Sequence, residues 1–123
     1  MLSRKKVLLA AIFAWPSVMA GPAWAHARLL TALPAARSVV ADTPTEIALT
    51  FNEAVKLIVI KVVDKDGKEI PGLGAALTDG ATLRIPVAGP WAPGHYTVSY
   101  RIAGPDGHAV NGSTTFSITS PKP

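Results

Sequence analysis

Alternation of apolar and polar residues with a period of two, broken by Gly and Pro, constrains this chain more than any other feature. A strand turns successive side chains to opposite faces, so period two marks one buried and one wet face. Tyr96, Val98, Tyr100 and Ile102 alternate with Thr97, Ser99 and Arg101. Ile47, Leu49 and Phe51 alternate with Ala48 and Thr50, and Leu83, Ile85 and Val87 with Arg84 and Pro86. Thr114, Phe116 and Ile118 repeat the pattern near the end. The run from Val55 to Val63 is almost wholly apolar, which reads as a strand buried on both faces or one with a covered outer face. Turn signals fall between these runs, at Asp66-Gly67, Asp79-Gly80, Pro93-Gly94 and Gly104-Pro105-Asp106-Gly107. No stretch after residue 26 sustains a helical period with caps. The expected fold is all-β, an Ig-like antiparallel β-sandwich of about seven strands. The tail Ser120–Pro123 reads as a frayed end.

The first 25 residues obey a different rule. Arg4, Lys5 and Lys6 precede an apolar run from Val7 to Ala14, and Ala23-Trp24-Ala25 forms a small-x-small cleavage site. A membrane anchor would need ~20 unbroken apolar residues. Pro16 and Gly21-Pro22 interrupt the run too early for that, and no twin-arginine pair precedes it. The expected organisation is a signal peptide over residues 1–25 and one domain over 26–123, beginning at His26.

Cutting 25 residues from 123 leaves 98, enough for one core and too few for two. The chain has no Cys, so the fold must rest on apolar burial, and thiolate metal or redox chemistry is excluded. Both methionines, Met1 and Met19, precede the cut. Nine Lys and Arg against eight acids leave residues 26–123 at a formal +1. No block of like charge runs along them. The expectation is that no basic face for nucleic acid remains and that no partner is selected by bulk charge.

Candidates for chemistry are few. There is no G-x-S-x-G, no phosphate-cradling Gly loop and no H-E-x-x-H. The three histidines are His26, His95 and His108. Cleavage would make His26 the first residue, offering an α-amine and an imidazole Nδ1 to one metal in a six-membered chelate. That amine has an ordinary pKa of ~7.7–8.0, so a metal can displace its proton near neutral pH. Nitrogen donors in a plane suit Cu(II), which also heads the affinity order of divalent first-row metals. Asp106 and His108 sit two apart, the spacing that turns both side chains to one side of an extended segment. The plainer alternative is a D-G turn followed by a solvated histidine. His95 has the opposite parity to Tyr96 and should point away from the core. Trp91 and Tyr100 read as core or sandwich-edge aromatics, and Glu53 as a solvated residue at a strand end.

Taken in order, these residues resemble the CopC family of periplasmic copper-binding, copper-resistance proteins. The similarity runs from His26 to about Ile118: Leu29 to Pro34, then Thr45 to Glu53 ending in Phe51-Asn52-Glu53, then Pro93-Gly94-His95-Tyr96, Asp106-Gly107-His108 and Gly112-Ser113-Thr114-Thr115-Phe116. The resemblance implies a Greek-key β-sandwich in the periplasm that binds one Cu(II) through the N-terminal histidine and an Asp-x-His. Matched by position, the ligands are His26, Asp106 and His108. Glu53 matches the family's glutamate, as an outer ligand or a hydrogen-bond acceptor behind the ligands. It further implies a monomeric copper carrier or buffer in copper homeostasis or resistance, not an enzyme. A CopD-type inner-membrane copper-transport protein is the implied partner, and nucleic acid is not one. Some members hold Cu(I) in a Met-rich loop; residues 26–123 have no Met, so only Cu(II) binding is expected. Ala27 stands where many members have Pro, with little consequence expected for ligation. Two other functions fit parts of the pattern: a copper-dependent oxidase of the lytic monooxygenase type, and a metal-free Ig-like interaction domain.

Overall fold

A computed structural model describes residues 26–119. The expected signal peptide and the tail from Ser120 lie outside the described residues. Eight strands form: β1 Leu29–Leu33, β2 Ser38–Val40, β3 Glu46–Phe51, β4 Lys56–Val63, β5 Leu77–Asp79, β6 Thr82–Pro86, β7 Gly94–Ala103 and β8 Ala109–Ile118. No helix occurs among the described residues. They make two four-stranded sheets, ordered β1-β3-β6-β5 and β2-β8-β7-β4. The alternating runs become β3, β6, β7 and β8, as their period demands. The count exceeds the seven expected because β2 and β5 are three residues each, too short to show a period.

Two expectations are corrected. The sandwich is not wholly antiparallel, because β2 pairs parallel with β8. After β1 the chain crosses to the other sheet and lays Ser38–Val40 along the end of β8, held by Arg37 N–H to Thr115 O (2.7 Å) and Thr119 N–H to Val40 O (2.9 Å). The apolar run around β4 is not buried on both faces. β4 is an edge strand, and its register shifts between Leu57 and Val59. That bulge turns two consecutive side chains outward, leaving Ile58 52% and Val59 51% exposed while Val62 stays buried.

The core lies between the sheets. Ile47, Leu49 and Phe51 of β3 and Leu83 and Ile85 of β6 face Val98, Ile102 and Phe116 of the opposite sheet, all at 2% exposure or less. An aromatic row crosses it, with Trp91 5.3 Å from Tyr96, Tyr96 5.7 Å from Phe116, and Phe51 edge-on to Tyr100 at 5.4 Å. Trp91 and Tyr100 are therefore core residues. His95 points outward as its parity predicts, with Nδ1 3.2 Å from Ser117 Oγ.

With no disulfide, this packing carries the stability. Phe51→Ala is expected to cost ~3–5 kcal/mol, the range for emptying a phenylalanine-sized site. That is a large share of the ~5–15 kcal/mol typical of a domain. Urea unfolding followed by circular dichroism should show the midpoint falling with the slope unchanged.

Candidate metal centre

The β7–β8 hairpin closes through Gly104-Pro105-Asp106-Gly107-His108 at one end of the sandwich. Gly107 N–H donates to Gly104 O at 2.9 Å, and Gly107 takes φ 83°, a backbone region that side-chain-bearing residues rarely adopt. This turn folds Asp106 back onto His108. Asp106 Oδ1 accepts the His108 backbone N–H at 3.0 Å, and Oδ2 lies 2.8 Å from His108 Nδ1. A carboxylate can only accept, so the neutral imidazole carries its proton on Nδ1 and turns the Nε2 lone pair outward. The bonds from the His108 ring and then from its backbone hold the Asp106 carboxyl below the usual carboxylate range, and positive charge on the His108 and His26 rings, when they are protonated, adds to this. Asp106 is thus ionised at neutral pH and keeps lone pairs for a cation.

The third member arrives from the other end of the chain. β1 starts beside the β3–β4 loop, and Asn52 fixes it there. Arg28 N–H donates to Asn52 Oδ1 at 2.7 Å, and Asn52 N–H donates to Arg28 O at 3.0 Å. Ala27 inserts its methyl into the core at 3% exposure. Residue 27 thus anchors the segment, and its neighbour His26 is left exposed at the site. The His26 and His108 rings meet edge to face, with centroids 5.7 Å apart. One ligand atom from each of His26, Asp106 and His108 lies within 4.8 Å of the others, and all three residues are exposed.

Glu53 stands one step behind this group. Its Oε2 is buried and has no hydrogen-bond partner among the described residues. Gly104 is the reason the carboxylate fits: a methyl group there would lie 3.2 Å from Glu53 Oε2, 3.5 Å from Asp106 Oδ1 and 3.8 Å from the Ala27 methyl. An orphaned buried oxygen beside the ligand loop is a ready acceptor for a donor that enters with the metal site. His95, at the opposite end of β7, takes no part.

In the sequence alone, Asn52 reads as an ordinary turn residue after a strand. Its two hydrogen bonds with Arg28 are visible only once β1 and β3 are paired. Asn52→Ala should leave the unfolding midpoint within the range of a surface change and weaken metal binding by ~10–100-fold, the usual effect of losing a group that positions a ligand. Metal titration of the protein beginning at His26 checks this.

A family model, the CopC domain, matches residues 29–119. The chain belongs to the CopC family. The matched span contains Asp106 and His108, while His26 precedes it. Among curated relatives, Protein YobA of Escherichia coli K12 and that of Shigella flexneri are each 34% identical over 106 residues, covering 83% of this chain and 86% of theirs. Among solved structures, CopC from Methylosinus trichosporium OB3b aligns with a TM-score of 0.67 at 29% identity, covering 76% of this chain and 94% of that one. PcoC, described as a methionine-rich copper resistance protein from Escherichia coli, aligns at 0.60 with 28% identity, covering 76% of this chain and 99% of its own. The CopC β-sandwich expected from the sequence is therefore the fold of this protein.

Proposed function

We propose that this protein is a periplasmic Cu(II) carrier or buffer serving copper resistance or homeostasis, made competent by removal of residues 1–25. The observation that carries this reading is the convergence of His26, Asp106 and His108 ligand atoms within 4.8 Å. Two imidazoles, a freed α-amine and a carboxylate make the nitrogen-rich, hard-to-borderline set that favours Cu(II). No thiol or thioether occurs in residues 26–123, so Cu(I) has no soft ligand. His108 binds through Nε2, Asp106 orients it and contributes an oxygen, and Glu53 accepts a hydrogen bond from behind the ligands. Copper is cargo here. All three ligands are exposed at the rim of the sandwich, an arrangement suited to release rather than permanent retention. Likeness to copper resistance proteins supports the same role. The family resemblance supports a monomer that delivers copper to a CopD-type inner-membrane protein and catalyses no reaction.

The test is Cu(II) titration of the protein beginning at His26, which should saturate at one ion per chain. Affinity should fall as the pH drops below the ordinary amine range of ~7.7–8.0, because the proton then competes for a ligand nitrogen. Asp106, already held low, adds no further loss until the pH is acidic. Ascorbate-driven peroxide production well above that of free copper would overturn the carrier reading.

A further inference from the structure

Charge that is evenly spread along the chain is sorted by the register of the second sheet. Val59, Arg101 and Asn111 stand in one outward row across β4, β7 and β8, followed by Lys61, Ser99 and Ser113, then Val63, Thr97 and Thr115. Lys56, Ala103 and Ala109 form the row nearest the metal loop. No outward position of these three strands holds an acid. Acids lie beyond their ends: Asp64 follows Val63, to which Glu69 is bridged, and Asp106 lies in the loop between Ala103 and Ala109. Lys56, Lys61 and Arg101 are exposed and make no ion pair among the described residues. Arg101 donates to the neutral Asn111 Oδ1 at 2.9 Å, which fixes its direction and leaves its charge uncompensated. A shallow depression of ≈ 360 Å³ lies among Lys61, Ser99, Arg101, Asn111 and Ser113. A net charge near zero thus conceals three cations gathered on one surface, too few for the basic face that nucleic acid would need.

We propose that this face docks an acidic protein surface and so presents the His26–Asp106–His108 end to that partner. Three observations specify such a partner. The cations lie on rigid paired strands beside fixed hydroxyls and one amide, which suits carboxylates at defined positions rather than diffuse charge. The interior of the face offers no aromatic or large apolar side chain to insert into a bilayer, as surface-bound membrane proteins do; its exposed large apolar members, Val39 on β2 and Ile58 and Val59 on β4, sit on the two edge strands. The face also runs into the metal end, since a second depression of ≈ 340 Å³ is lined by Lys56, Ala103, Gly104 and Gly107. Contacts that are mostly electrostatic speed encounter and release, as cargo exchange requires. The docking itself does not depend on copper binding, whereas its use in handing on cargo rests on that reading.

The test uses isotope-labelled, metal-free protein and a short poly-glutamate peptide, followed by nuclear magnetic resonance. Amide shifts should concentrate at Ser99, Arg101, Asn111 and Ser113 and vanish at ~1 M salt, where the screening length is ~3 Å. The Lys61→Glu/Arg101→Glu variant should bind on the order of tenfold more weakly, whereas Lys65→Glu/Lys68→Glu, in the β4–β5 turn, should bind like the parent. The salt response of the unaltered protein tests the face without any variant. Shifts centred elsewhere, or equal binding by the first variant, would overturn the proposal. So would sedimentation with phosphatidylglycerol vesicles that depends on Lys61 and Arg101 while the peptide causes no shift, since the face would then serve a membrane.

Discussion

Replacing His108 with alanine is expected to weaken Cu(II) binding by more than the ~10–100-fold that follows loss of a group merely supporting a ligand. The change removes the Nε2 donor outright. It also strips Asp106 of the ring contact at 2.8 Å that aims it, while the backbone bond at 3.0 Å survives. Asp106 should therefore keep its turn but lose part of what holds its carboxyl low, moving toward the ordinary carboxylate range. Asp106→Asn separates the two effects, since its amide oxygen can still accept the backbone N–H but carries no charge. His95→Ala is the matched control, because His95 bonds Ser117 at the far end of β7. Calorimetric titration should give a large loss for His108→Ala and none for His95→Ala. A spin-resonance spectrum showing one fewer nitrogen would identify the lost ligand. Equal affinity in both variants would remove His108 from the site.

Much of the fold was readable because the sandwich has two differently solvated faces per strand. Ile47, Leu49 and Phe51, or Tyr96 through Ile102, could not bury their apolar sets in any helix. The β4 run misled because hydropathy reports apolarity without lateral position. Whether a strand lies at an edge depends on pairing partners far away in sequence, and the bulge at Leu57–Val59 leaves no mark in composition. The parallel β2 strand was hidden for a related reason: Ser38-Val39-Val40 is too short for a pattern, and its direction is fixed by where β8 ends.

At the site, Asp106 and His108 were legible as a pair because two residues and a glycine define a local geometry. Their meeting with His26 was not, since it depends on β1 lying against β3 and on Asn52 gripping Arg28. Likewise, Ala27 looked incidental beside its histidine, yet its methyl is what the core holds. Charge was the least legible property. Lys61 and Arg101 are forty residues apart, and only the β4–β7 register makes them diagonal neighbours.

On the proposed function, cleavage after Ala25 creates a ligand. An amide nitrogen at residue 26 has no basic lone pair for Cu(II) near neutral pH, whereas the amine of a first residue does. The decisive measurement is Cu(II) titration with spin-resonance spectra on two forms of the protein, one beginning at His26 and one carrying a single extra residue before it. The form beginning at His26 should bind orders of magnitude more tightly, with the amine nitrogen among the equatorial donors. Equal affinity and identical spectra for the two forms would show that the amine of residue 26 is not a ligand.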